Sequence, residues 1–253
     1  FNNYLVNYSK PDFVEIRLGK NHIILQDFLD VTFSIDAVDD SIKTIMYNYQ
    51  SKLSNDYIYL NNGMRYMGRD TFDKSKISEF NSSLTKYFRD RDKFNEYRFS
   101  NTSLSDFKRI VEICKEKNIE VKIFISPVHV IHWEVLYESG IWSIFENWKR
   151  EIVKITPIWD FSNYNSITTE DISEEMENYW DSHHYSKEVG DLILNRLLSY
   201  QQESVPDDFG ILMTPENVES HLVQIRNQRK LWVKGNPELV KLVKDLKQKV
   251  EDN

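Results

Sequence analysis

The chain has 253 residues, 40% of them hydrophobic and 28% charged, which supports a packed core in one large domain and excludes wholesale disorder. Lys plus Arg is 32 against Asp plus Glu at 40, a net charge of -8, and this excludes the broad basic face of a general nucleic-acid binder. Cys114 is the single cysteine, which excludes an internal disulfide and a Cys-based zinc cluster.

In chain order, "PDFVEIRLG" places Phe13, Val14, Ile16 and Leu18 after a proline and before Gly19, and predicts a first strand. "SIDAVDDSIKTIMYNY" spaces Ile35, Val38, Ile42, Ile45 and Tyr49 by three and four, one apolar face of a helix with Ser34 as N-cap. Residues 51–100 are turn-rich and then dense in alternating charge. They are expected to form an irregular insertion with one or two short helices. "SLSDFKRIVEICKEKN" predicts an amphipathic helix ended by Asn118, with Cys114 a buried structural thiol on its apolar face. "EVKIFISPV" predicts a strand buried on both faces. A helix follows through Ile141, Phe145, Trp148 and Ile152, then a short strand in "ITPIWDFS", then a helix in "SKEVGDLILNRLLSY". Two further helices are expected, one starting at Thr214–Pro215 and ending at Gly235, the other starting at Asn236–Pro237. Alternating strand and helix predict an α/β domain with a parallel sheet over 1–205, and the last helices a C-terminal extension over 206–253.

Seven glycines are few for this length. Neither G-x-G-x-x-G nor G-x-x-x-x-G-K-[ST] occurs, so no nucleotide cofactor is expected. No apolar run approaches the ~18 residues of a membrane span.

In parallel α/β sheets chemistry gathers at the carboxyl ends of the strands. Ser126 and His129 follow one predicted strand, with His132 three residues on. Asp160 and Ser162 follow another. Some twenty residues later, "YWDSHHYSKEVGDLILNRLL" sets Asp181 three residues before His184, at the start of a helix. A carboxylate so placed can fix one ring nitrogen of His184 and leave the other to take a proton. The alternative is a polar turn in which Asp181 caps backbone N–H groups. Trp180, His183 and His129 are candidates for a substrate wall. A metal hydrolase is a further alternative, with the H-x-x-H pair His129 and His132 completed by Asp181, His183 and His184. The lead reading holds no metal and no cofactor.

The strand–helix order leading to D-x-x-H and a last helix resembles the SGNH/GDSL hydrolase superfamily. "HHYS" in that context is similar to its bacterial cell-surface branch, which handles acetyl groups on exported polysaccharides. The resemblance covers residues 11 to about 230. It implies a three-layer flavodoxin-like α/β fold, Asp181 and His184 as two members of a catalytic triad, and Gly19 and Asn21 of "LGKN" as a G-x-N oxyanion block. It implies an ester-bearing glycan or small ester as substrate and an extracytoplasmic or membrane-anchored location. The family's G-D-S serine block does not occur in these residues, and its place is expected before Phe1. Ser126 and Ser162 are the substitutes at strand ends. A catalytically inactive glycan-binding or assembly module on the same scaffold is the other expectation.

Overall fold

The computed structural model describes residues 75–89 and 98–252 and, before them, helical pieces at 38–39, 41–42 and 45–46 and two short strands. The chain divides into two units, Phe1–Asp73 and Lys74–Asn253. In the first, β1 (Tyr57–Tyr59) pairs antiparallel with β2 (Arg65–Met67), Tyr57 facing Met67. Val38, Ile42 and Ile45, expected on a buried helix face, are exposed. The strand expected over 13–18, with Gly19 and Asn21, lies outside the described residues.

The second unit is a mixed α/β assembly, rich in helix. It opens with α1 (Lys76–Arg89), a helix of 14 residues within the stretch where one or two short helices were expected. Phe80, Leu84 and Phe88 recur every fourth residue and are all buried, the apolar stripe of an amphipathic helix. Glu174 holds its start, accepting hydrogen bonds from Ser75 Oγ at 2.6 Å and the Lys76 N–H at 2.8 Å. Next, α2 (Asn101–Glu116) is capped by Ser100, whose side chain accepts the Ser103 N–H. Asn118 follows it with φ 52°, the left-handed conformation that stops a helix. Of its residues only Val111 is fully buried. Cys114 is half-buried, not the buried thiol expected.

The sheet has three strands in the order β3 (Phe124–Ile125), β4 (Ile158–Asp160), β5 (Ile211–Met213). β3 and β4 are parallel, with Phe124 beside Trp159. β5 runs antiparallel to β4, with Ile158 facing Met213, so the sheet is mixed rather than parallel. Its third strand comes from the stretch expected to be a helical extension. Val121 and Phe124 are exposed, so β3 is not covered on both faces. Just before β5, Gly210 has φ +91°, and a Cβ there would lie 2.4 Å from Phe161 Cε1. Only glycine fits both the backbone angle and the close approach.

Among the described residues of the unit five more α-helices follow: α3 (Val130–Glu138), α4 (Trp142–Val153), α5 (Lys187–Leu198), α6 (Val218–Gly235) and α7 (Pro237–Glu251). α6 starts four residues after Thr214, because the turn before it is closed by Asn217, whose Oδ1 accepts the Thr214 N–H and whose amide donates to Leu212 O. One apolar cluster joins Phe80 and Leu84 of α1, Ile131 and Val135 of α3, Val189 and Ile193 of α5, and Val243 of α7. A second joins Trp133, Trp142, Ile152, Ile158, Met213, Leu222 and Ile225.

Polar groups are built into these clusters. On α4 the expected face packs inward, with Ile152 buried and Phe145 and Trp148 against the second cluster, and the buried surface widens to Trp142, Glu146, Lys149 and Val153. Lys149 Nζ donates to Asp160 Oδ2 at 2.6 Å and to Ser162 Oγ at 3.0 Å. Glu134 of α3 is buried and takes two bonds from Arg229 of α6, at 3.0 and 2.6 Å, and one from Tyr164 Oη. Each buried carboxylate is thus paired with a cation and further donors, as burial of charge requires.

Candidate functional site

The segment 178–186 is a closed turn. Tyr179 and Tyr185 form an isolated antiparallel bridge. The Trp180 N–H donates to His184 O at 2.9 Å, and the Ser186 N–H to Asn178 O at 2.8 Å. Ser186 then caps α5, its hydroxyl accepting the Val189 N–H, which is the helix start the sequence predicts.

At the tip, Asp181 has two tasks. Its Oδ1 accepts the backbone N–H groups of His183 and His184, each at 2.8 Å. Its Oδ2 lies 2.7 Å from His184 Nδ1. The cap and the Asp–His pair, weighed as alternatives from the sequence, are both present in one side chain. Burial pushes the Asp181 carboxyl up, but the His183 N–H and the His184 side chain and N–H outweigh it and hold the group below its usual range. An ionised Asp181 that accepts from Nδ1–H fixes the tautomer of His184 and leaves Nε2 as the basic atom. The His184 side chain is 65% exposed, against 16% for Asp181.

His183 lies beside His184, the two ring centroids 3.9 Å apart. Its Nδ1 is 3.1 Å from Asp181 Oδ1, yet off the line of a hydrogen bond, and this buried atom has no hydrogen-bond partner. Burial lowers the His183 pKa, opposed by Asp181. The Tyr87 ring of α1 stands edge-on to both His183 and His132.

Beneath the tip the turn is fastened to the core. Ser182 is fully buried, its Oγ 2.9 Å from Ser83 Oγ of α1 and 3.3 Å from His132 Nδ1 of α3. Ser182 O accepts the His129 N–H at 3.1 Å, tying the turn to the start of α3. Ser83, Tyr87 and Ser182 are absent from the sequence-based candidates. For Ser83 and Tyr87 the only prior signal is the helical stripe of α1, and for Ser182 its place between Asp181 and His184.

The remaining candidates divide. Trp180 is exposed, with Lys76 Nζ 5.2 Å from its ring centroid, and remains available as a wall. His129 does not. It is 1% exposed and caps α3, with Nδ1 accepting the Ile131 N–H at 3.3 Å and Nε2–H donating to Glu170 O at 2.7 Å. Both nitrogens are used, and burial lowers its pKa to about 4. His132 is likewise buried, its pKa lowered to about 3, first by burial and then by His183. The H-x-x-H pair is therefore a pair of neutral core histidines and not half of a metal site. Ser162 is buried and saturated by Asp160 and Lys149, so it is not a free nucleophile. Ser126 is exposed. Among the described residues no serine hydroxyl is hydrogen-bonded to His184. Gly19 and Asn21 fall outside the described residues.

No protein-family model matches the chain, and no curated protein or solved structure is significantly similar to it. Among the described residues no helix is long and apolar enough to cross a membrane.

Proposed function

We propose that the protein is an ester hydrolase or O-acyltransferase of SGNH type, with His184 as general base and then general acid and Asp181 as the residue that orients it. The nucleophile in this reading is a serine outside the described residues, and Gly19 and Asn21 contribute to the oxyanion hole. The fold it implies is the three-layer flavodoxin-like sheet; the parallel β3–β4 pair is compatible with that reading, and the antiparallel β5 departs from it. The substrate class is an acylated glycan or a similar ester outside the cytoplasm, with Trp180 against it.

One observation carries the proposal. Asp181 is immobilised by two backbone N–H groups and presents its second oxygen 2.7 Å from Nδ1 of an exposed histidine. A turn that only capped its own backbone would not need that second contact. The test is a fluorophosphonate probe with p-nitrophenyl acetate turnover, applied to the full-length natural protein. One serine is expected to be labelled, and His184→Ala is expected to cost about 10²–10⁴-fold in turnover with the circular dichroism spectrum unchanged. Labelling that persists in the variant refutes the role of His184. The absence of a serine bonded to His184 among the described residues favours a second reading, an inactive glycan-binding module on the same scaffold. That reading predicts no labelled serine in the wild type.

A further inference from the structure

The hydrogen-bond pattern of the turn leaves one part unexplained. His183 Nδ1 is buried, has no hydrogen-bond partner, and faces the same carboxylate that His184 Nδ1 faces. Nitrogens from two imidazoles and one carboxylate oxygen lie within 4.8 Å of one another. In a tetrahedral zinc site, bonds of about 2.0–2.1 Å place neighbouring donor atoms about 3.3 Å apart. His183 Nδ1 is 3.1 Å from Asp181 Oδ1 and His184 Nδ1 is 2.7 Å from Oδ2, so the three groups converge on one carboxylate and would have to turn towards a common point to share an ion. The carboxylate is already anchored through Oδ1, which leaves Oδ2 for a metal, and such outer bonds orient a ligand.

We propose that Asp181, His183 and His184 form a binding site for a borderline divalent cation, Zn²⁺ in particular, held by two Nδ1 atoms and one carboxylate oxygen. Imidazole and carboxylate donors suit this class of ion. Three protein ligands leave a fourth position open, and the exposed side of His184 is where a water or a ligand would take it.

The site also regulates the proposed hydrolase, a consequence that rests on that reading. In the Asp181–His184 pair, Nδ1 carries the proton and Nε2 is basic. A bound cation needs the Nδ1 lone pair, so the proton of neutral His184 moves to Nε2. No proton is gained or lost overall, yet Nε2 can no longer accept one from a nucleophile. Metal binding and base catalysis therefore demand opposite tautomers of one ring and exclude each other.

The experiment is calorimetric titration of the metal-stripped protein with Zn²⁺, paired with the visible spectrum of Co²⁺ as a coordination probe. Wild type is expected to bind one ion with a Kd at or below about 10 µM, a free energy of about -7 kcal/mol by Kd conversion. His183→Ala and Asp181→Asn are expected to weaken it at least tenfold while circular dichroism is unchanged. Tetrahedral Co²⁺ bands should appear in wild type and be lost in both variants. His183→Gln serves as a second variant should the alanine protein fail to fold. No binding by wild type, or equal affinity in a folded His183 variant, overturns the site. In the same samples, Zn²⁺ is expected to suppress ester turnover in proportion to occupancy, and full turnover at saturation overturns the regulatory consequence. Zn²⁺ binding by a full-length protein that neither turns over esters nor labels a serine upholds the site and refutes the hydrolase reading, so the two failures are told apart.

Discussion

Lys149→Met isolates the cost of a buried charge in this fold. Lys149 and Asp160 are 1% and 0% exposed, with Nζ 2.6 Å from Oδ2. The carboxylate also accepts from His221 Nε2 at 2.8 Å, from the Ser162 N–H at 2.9 Å and from Ser162 Oγ at 2.5 Å. Burial pushes the Asp160 carboxyl up, but Lys149 and then His221 hold it far below its usual range. Methionine keeps the length of the stem and deletes the cation, leaving an anion with only three hydrogen-bond donors. Breaking one partner of a buried pair costs about 3–5 kcal/mol. In a unit of this size each kcal/mol is worth about 2–4 °C, so Tm should fall by about 6–20 °C. The double variant Lys149→Met/Asp160→Asn removes both charges and should recover at least half of that loss, since neutral replacements of buried pairs are well tolerated. Acidity gives a sign check. A depressed carboxyl supplies stability that is present above its unfolded pKa and lost as pH falls through the folded one. Without Lys149 the folded carboxyl rises, so the gap between variant and wild type should narrow as pH is lowered from 7 towards 5. Urea unfolding followed by tryptophan fluorescence measures each quantity. A Lys149→Met protein within about 1 kcal/mol of wild type, or a double variant no more stable than the single, would refute the reasoning.

Four further outcomes follow from the same contacts. His129 is neutral in the fold, with a pKa of about 4 against 6.5 unfolded. The unfolded state thus binds the extra proton between those values, and stability should fall by about 2 kcal/mol from pH 7 to pH 5 on this group alone. His129→Gln should flatten that slope in urea titrations. Gly210→Ala combines a positive φ with overlap on Phe161 and should cost about 2–4 kcal/mol by thermal unfolding. Ser182→Ala leaves His132 Nδ1 without its partner and removes the hydroxyl bond to Ser83, which keeps its bond to Phe80 O; it should cost about 1–3 kcal/mol, while loosening the turn enough to raise hydrogen exchange at His183 and His184. Arg229→Ala leaves Glu134 buried without its cation and should cost about 3–5 kcal/mol, measurable as a lower urea midpoint.

How legible each part was depends on the distance over which it is determined. Ser186 at the start of α5 and Asn118 at the end of α2 are local choices of backbone conformation, and the residue type alone announces them. The Asp181–His184 contact is also local, since three residues on one turn bring the side chains together whatever the rest of the chain does. His129 is the opposite case. Its type suggests reactivity, but its role is decided by Glu170 O, forty-one residues away, and by the start of its own helix. α1 was hidden because its stripe of Phe80, Leu84 and Phe88 is narrow and thickly flanked by charge. The α4 face was read too narrowly because a charge-averse reading would not put Glu146 and Lys149 inside as well. They are there because Trp142 Nε1 and Arg226 satisfy one and Asp160 and Ser162 the other. β5 is three residues long, too short for an alternating pattern to declare it, and it exists through pairing with β4.

The contrast between two histidines separates a site from a scaffold. His221 Nδ1 and His183 Nδ1 are both buried and without a hydrogen-bond partner. His221 is sealed, 4% exposed, with its other nitrogen held by Asp160. Nothing larger than the packing around it reaches that atom, so it is a tolerated defect in a network whose charges are balanced. His183 is 30% exposed and stands beside a histidine exposed at 65%, over a carboxylate fixed from below. An unsatisfied nitrogen costs less to keep where a ligand from solution can satisfy it. Ser83 and Ser182 spend buried polar contacts on holding this turn still, which a surface loop of no consequence does not require. The anchored carboxylate and the two imidazoles beside it are therefore where we place both the proposed general base and the proposed cation site.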